Sequence, residues 1–338
     1  MRQFALSLVL TFTAGWANAF ETESFERFGP AGSTEVLRII STADIAFFEP
    51  MITSFLATRP GMAIDYTVAS STELQKAIVD EGEVFDLAIS SAMDLQTKLA
   101  NDGWARKHWS SATESLPEWA RWNDMLFAFT QEPATIVVSK SAFGDLPIPR
   151  NRHDLINLLR EHPDLFRNRV GTYDVRQSGL GYLFATQDTR ASETYWRLTE
   201  VMGGLGVRLY CCSSDMIEAV KSGELLIAYN VLGSYAINRE DREDFAIILP
   251  SDYTTVMLRT ALIPHNTRSK DLSGQFIDHL LERSHGANAQ PLTNDALDLS
   301  LVETALNRIR IGPGLLVFLD QLKKRAFLSE WEDAILQK

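Results

Sequence analysis

The chain has 338 residues, 45% of them hydrophobic and 22% charged, with 32 Lys and Arg against 44 Asp and Glu and a formal net charge of −12. This composition excludes intrinsic disorder and collagen-like sequence and leaves room for about two domains. The acidic balance is the wrong sign for a surface that wraps nucleic acid, whereas pocket donors can still hold a small anion locally.

In chain order, Met1 to Ala19 carries Arg2, an apolar stretch from Phe4 to Phe12, and Ala17-Asn18-Ala19 as a small-x-small cleavage site. Together these predict a secretory signal peptide over residues 1–19, since the apolar stretch is shorter than the roughly 20 residues of a membrane span. From Val36, strand and helix signals alternate. VLRIIS (36–41), MAIDYTVA (62–69) and VFDLAIS (84–90) are β-rich, and a helix is expected after each: over Asp44–Thr58, from Ser70-Ser71-Thr72-Glu73, and from Ser91-Ala92-Met93-Asp94. Such alternation implies βαβ units and a mostly parallel sheet flanked by helices.

Between Trp104 and Glu132 the pattern loosens and gathers Trp104, Trp109, Trp119 and Trp122, for which the sequence suggests either core or the flank of a ring-containing ligand. FAFTQEPATIVVS (127–139) gives two extended stretches broken at Pro133, where the chain is expected to cross into a second lobe. A second α/β unit follows. Its strands are expected at 169–173, 207–211, 225–230 and 245–249, and its helices near 154–160, from Ser178, near 191–202, at 214–221 and near 234–239. VMLRTALIP (256–264) reads as the return crossing and the remainder as helical. The expected organisation is therefore an α/β protein of two lobes joined by two hinge crossings. Lobe 1 would comprise 34–132 plus 256–338, and lobe 2 133–255.

Ligands of open α/β sheets bind beyond the carboxyl ends of the strands, where helix N-termini offer free N–H groups and a positive dipole end. Ser41-Thr42, Ser70-Ser71 and Ser90-Ser91 fall at three equivalent positions of that kind in lobe 1, with plain helix capping as the alternative for each pair. In lobe 2, Arg176 precedes Ser178-Gly179-Leu180-Gly181, which brings little side-chain bulk to a helix start, and Ser213-Ser214-Asp215 repeats the cap pattern. The only two cysteines, Cys211 and Cys212, are adjacent. They fit two small buried thiols at a strand end or a redox-sensitive vicinal pair beside a ligand site, and they offer no recognised metal spacing. No Gly-x-Ser-x-Gly, P-loop, dinucleotide or H-E-x-x-H motif is present, so the chain reads as a non-enzyme without a cofactor.

The signal peptide, the V-L-R-I-I-S strand, Ser-Ser-A-M-D-L at 90–95, S-G-x-G-Y at 178–182, A-V-K-S-G-E at 219–224, A-Y-N at 228–230 and G-S-Y-A at 233–236 resemble the periplasmic solute-binding proteins of ABC transporters. The likeness is to their two-lobe type II branch, which includes ferric-ion and sugar-phosphate binders and phosphoglycerate-sensor components. It implies a monomeric periplasmic protein that closes on a solute and presents it to an ABC permease, a sensor kinase, or both.

Ferric-ion binders of the family use paired tyrosines. Here only Tyr235 stands in the corresponding segment, and His108, His153, His162, His265, His279 and His285 fall away from the strand ends, so iron is the second choice. A lobe-interface hydrolase is the third. The preferred solute is a small anionic metabolite: a phosphorylated sugar, a phosphoglycerate-like acid or a carboxylate. On this reading Ser41, Thr42, Ser70, Ser71, Ser90, Ser91, Ser178 and Gly179 bind the anionic group and Arg176 neutralises it. Ser213, Ser214, Tyr229, Asn230 and Tyr235 orient the rest.

Overall fold

The computed structural model describes residues 19–237, 239–286 and 305–337, so the expected signal peptide lies outside the described residues except for Ala19. Two mixed sheets form the two lobes. In the first, the strand order is Ser24–Phe28, Met62–Val68, Glu35–Ser41, Leu87–Ser90, Thr260–Pro264, Leu126–Ala128, Arg121–Trp122, with Ala105–Arg106 pairing on Thr260–Pro264. Glu35–Ser41 is the parallel centre, matching Ile39 to Tyr66 on one side and to Leu87 on the other. Ile39, Tyr66 and Leu87 are all fully buried, as expected of central strands covered on both faces.

The second sheet runs Arg208–Tyr210, Val170–Tyr173, Ile227–Leu232, Glu132–Ser139, Thr254–Met257, Leu306–Arg308, with Phe245–Ile248 on Glu132–Ser139. Its register against Glu132–Ser139 shifts between Tyr229 and Val231, and the intervening Asn230 sits at φ +63°. This is a bulge, and asparagine tolerates the left-handed region better than most residues. It matters for what Asn230 can do.

The chain crosses between lobes at Phe129–Gln131 and returns at Leu258–Arg259. Pro133 therefore does not break the strand; it lies inside Glu132–Ser139, opposite Val256. Three further expectations change. Lobe 1 begins before residue 34, because Ser24–Phe28 adds an antiparallel edge strand to its sheet. Lobe 2 extends to Met257. The last segment belongs mostly with lobe 2: Leu306–Arg308 pairs with Thr254–Met257, and the final helix Gln321–Leu336 buries Phe327, Trp331 and Ile335 among Leu155, Leu198 and Met202. Before it, Ile311 and the 3₁₀ turn Pro313–Leu319 reach back to lobe 1, Ile311 against the cluster of Leu74, Ile78 and Leu99 and the turn against the helix Met93–Asn101. The apolar stripe of the final helix specifies burial, but a stripe does not say against which lobe.

The helix caps follow local chemistry. Ser70 accepts the Glu73 N–H at 3.2 Å and Ser178 the Gly181 N–H at 3.1 Å, each satisfying a donor that the helix itself leaves free. The helix Ser213–Lys221 starts one residue earlier than expected, with Cys212 as its cap, so Ser213 is in the first turn.

Candidate functional site

A cleft between the lobes is lined from lobe 1 by Glu23, Thr42, Asp44, Ser70, Ser71 and Ser91 and from lobe 2 by Tyr173, Ser178, Cys211, Cys212, Ser213, Ser214 and Tyr235. Arg259, at the return crossing, also lines it. Five of the described helices begin here, with caps at Asp44, Ser70, Ala92, Ser178 and Cys212. Each presents its positive dipole end and first N–H groups toward the same space. The lobes touch across it. Ser71 Oγ accepts the Gly179 N–H at 3.0 Å, and Phe47 of lobe 1 stacks on Tyr235 of lobe 2 with ring centroids 5.3 Å apart. The free volume left is about 60 Å³, several times the roughly 10–15 Å³ that one ordered water requires.

Arg259 is fully buried. Its Nε donates to Glu132 Oε1 at 2.9 Å and its Nη2 to Glu132 Oε2 at 3.2 Å, while Nη1 has no partner among the described residues. Glu132 also accepts the hydroxyls of Thr130 (2.8 Å) and Ser234 (2.6 Å). Glu132 and Arg259 stand beside the outgoing and returning crossings respectively, so this ion pair ties the hinge together at the base of the cleft. Arg259 is the single Lys or Arg among the lining residues.

Two carboxyls face the same space. Burial holds Asp44 above the usual carboxylate range, opposed by the Arg259 charge, reinforced by Asp215, and opposed again by a hydrogen bond from the Ser214 hydroxyl. Glu23 is likewise raised, first by burial and then by the neighbouring Asp44 and Asp215 charges. Tyr173 and Tyr235 are pushed well above the normal phenol value, chiefly by burial. The Tyr173 hydroxyl is engaged with Ser213 Oγ at 2.5 Å. Without a bound cation both therefore stand as neutral hydroxyls.

Of the expected site residues, the structure brings Thr42, Ser70, Ser71, Ser91, Ser178, Ser213, Ser214 and Tyr235 to the cleft wall. Gly179 lies directly behind it, its N–H taken by Ser71. Ser41 and Ser90 are buried capping residues instead: their hydroxyls accept the N–H groups of Ala43 (3.0 Å) and Ala92 (3.1 Å). Arg176 turns away, because Asp174, two residues before it, accepts its Nε at 2.8 Å and its Nη2 at 2.6 Å, and Glu332 of the final helix lies 3.6 Å from Nη1.

Tyr229 and Asn230 are also elsewhere, in a buried network within lobe 2. Asp188 accepts the Tyr229 hydroxyl (3.0 Å), Asn230 Nδ2 (2.8 Å) and the Thr255 hydroxyl (3.0 Å), and Arg152 Nε donates to Tyr229 at 2.7 Å. The bulge turns Asn230 away from the ladder and toward Asp188. None of the histidines lines the cleft; His279, for example, is paired with Ser54 at 2.8 Å and pushed down to about 4, mainly by burial. The tryptophans of 104–122 are not cleft residues either: Trp104, Trp119 and Trp122 pack against the lobe 1 clusters, and Trp109 is exposed.

Arg259, Asp44 and Glu23 were not singled out from the sequence. A signal for Arg259 was present: it is the one charge inside the mostly apolar run V-M-L-R-T-A-L-I-P, and a buried arginine requires a partner. Asp44 directly follows Ser41-Thr42-Ala43 at a helix start. Nothing in the local sequence marks Glu23.

Two hinged α/β lobes closing on a polar, helix-capped cleft define a solute-binding protein. The sequence matches the family model described as bacterial extracellular solute-binding protein over residues 37–287, and the chain belongs to that family. It is similar to the substrate-binding protein of an ABC transporter from Agrobacterium tumefaciens at 30% identity and TM-score 0.85, covering 92% of this chain and 98% of that one. The fold is shared with AfuA from Actinobacillus pleuropneumoniae, solved with fructose-6-phosphate (15% identity, TM-score 0.71, 90% and 99% covered). It is also shared with iron-bound HitA from Pseudomonas aeruginosa (14% identity, TM-score 0.61, 89% and 99% covered). No match to a curated protein sequence is found. The family is one of extracellular solute-binding proteins, and the Agrobacterium neighbour is the substrate-binding protein of an ABC transporter.

Proposed function

We propose that the protein captures a small hydroxylated anion in the periplasm, a phosphorylated sugar, phosphoglycerate-like acid or hydroxycarboxylate, and presents it to an ABC permease. The observation that carries the reading is the buried Arg259, whose Nη1 lacks a partner at the base of a cleft where five helix N-termini converge. The fold accommodates both sugar phosphate and iron in other proteins, so the lining decides. Donors dominate that lining. The hydroxyls of Thr42, Ser70, Ser71, Ser91, Ser178 and Ser213 and the helix N–H groups suit phosphate or carboxylate oxygens. Asp44 and Glu23 suit the hydroxyls of the rest of the solute, each able to accept when ionised and to donate when protonated.

The test is thermal shift and calorimetry on metal-free protein against fructose 6-phosphate, 3-phosphoglycerate, inorganic phosphate, citrate and ferric citrate. A solute that binds only the native state at a hundredfold excess over Kd adds about 2.7 kcal/mol of stability. One anion is expected to saturate, and Arg259→Met in an E132Q background, where no unpaired buried carboxylate is left behind, is expected to lose that response. A response to ferric ion alone, with a tyrosinate-to-iron absorption band, would replace this reading with iron uptake. Anion binding unchanged in the double variant would remove Arg259 from the site.

A further inference from the structure

The rim of the cleft carries a side-chain cluster that solute capture leaves unused. Cys211, at the end of Arg208–Tyr210, Cys212, the cap of the helix Ser213–Lys221, and Asp215 in its first turn bring two sulfurs and a carboxylate oxygen within 4.8 Å of one another. Both thiols are free and Cys211 is exposed, so the cluster is open to solvent. Cys211 Sγ and Asp215 Oδ2 are 3.6 Å apart. This ligand set is compact because the cysteines are consecutive and the first helical turn folds Asp215 back over them, so spacing motifs built on separated cysteines do not detect it.

The charged groups that act directly on the two sulfurs are the carboxyls of Asp215 and Glu23, which favour a cation at that point. Glu23 and Asp44 line the same cleft, and neither they nor Asp215 is paired with a Lys or Arg among the described residues. Arg208, on the strand that leads into the cysteines, is committed to Glu224. Two thiolates with one carboxylate make a donor set that selects soft or borderline metals over magnesium or calcium.

We infer that Cys211, Cys212 and Asp215 form a binding site for a thiophilic divalent cation of the zinc class at the mouth of the cleft. On binding, the two thiol protons pass to solvent and the sulfurs bond the metal as thiolates. The fourth tetrahedral position remains for water. The inference is independent of which solute occupies the cleft, since the site contains none of the serines or Arg259.

The test uses the whole protein, reduced with a non-thiol phosphine, stripped with chelator and shown to contain two titratable thiols, then titrated with Cd²⁺ and with Zn²⁺ alone. One equivalent of Cd²⁺ is expected to produce the ultraviolet thiolate-to-metal charge-transfer band. C211S/C212S is expected to lose the band while melting as the parent does. Asp215→Asn is expected to keep the band but weaken binding by at least the roughly 10–100-fold typical of losing an outer-shell partner. Absence of a saturable band in protein with both thiols reduced, or equal Zn²⁺ affinity in C211S/C212S, would overturn the assignment. The Arg259→Met, E132Q variant is expected to retain Cd²⁺ binding, so loss of solute binding and loss of metal binding are read separately.

Discussion

Gly179 opens a lobe 2 helix directly against lobe 1, and alanine there is expected to weaken solute binding while leaving the unliganded fold intact. A Cβ at this position would lie 2.3 Å from Ser71 Oγ and 3.0 Å from Leu95 Cδ1, both across the cleft. Ser71 can rotate, but rotation breaks its 3.0 Å bond from the Gly179 N–H, and Leu95 is buried and has little room to yield. Overpacking of this kind costs about 1–3 kcal/mol, and the whole cost falls on the closed form. Converted to affinity, that is a loss of about 5- to 150-fold. In an open form the methyl faces solvent, and replacing glycine in a helix favours the fold by up to about 1 kcal/mol. Binding and apo stability should therefore move in opposite directions. The assay is calorimetry with whichever anion saturates the wild type, alongside thermal melting without solute. An affinity within about twofold of the wild type would refute the argument, because it would mean that Ser71 and Gly179 are not in contact in the bound state.

Asp94 is 3% exposed, has one oxygen without a partner, and is raised to about 7 chiefly by burial, with Lys324 the opposing charge that faces it. A carboxyl that binds its proton more tightly folded than unfolded makes stability fall as pH rises from the ordinary value of 3.8 to about 7, and flat beyond it. Melting across that range should show this decline in the wild type and a shallower one in Asp94→Asn; parallel curves would refute it. Asp188→Ala removes the acceptor of three buried donors and one of the two carboxylates beside the buried Arg152, leaving Asp252 at 3.1 Å as its remaining counter-charge. Urea denaturation should show a loss of about 3–5 kcal/mol, and a loss below about 1 kcal/mol would contradict the network's role. Arg176→Ala is expected to leave anion affinity unchanged, since Asp174 holds the guanidinium outside the cleft; a tenfold or greater loss by calorimetry, about 1.4 kcal/mol, would return Arg176 to the solute.

The two-lobe fold was legible because its cause is periodic: alternating apolar strands and capped helices repeat in both halves of the chain. The lobe 1 serines were legible for the same reason, as Thr42, Ser70, Ser71 and Ser91 all follow a strand at the same topological step. What failed was always a competition the local sequence does not display. Arg176 was expected to meet a ligand anion, but Asp174, two residues back, supplies a carboxylate at no cost in chain entropy. Tyr229 and Asn230 were expected at a strand end, but the strand runs on to Leu232 and its bulge turns them into lobe 2. The final helix was assigned to lobe 1 because chain order suggested it, whereas the partner of an amphipathic helix is set by tertiary packing. Arg259 was missed because it lies in a stretch read only as a connection.

That connection joins the chemistry of the cleft to its motion. In the closed form Arg259 Nη1 is buried without a partner, and an unsatisfied buried donor costs about 1–3 kcal/mol. Opening the lobes admits water to the base of the cleft and removes this cost; an anion removes it without opening. The empty protein is therefore biased toward the open form by the same atom that rewards the solute, and population shift requires such a differential contact. Replacing both charges of the hinge pair, as in Arg259→Met with E132Q, deletes the penalty along with the binding contact. The unliganded double variant should then populate the closed form more than the wild type does. Small-angle scattering should show this as a smaller radius of gyration without solute, and an unchanged or larger radius would refute the coupling.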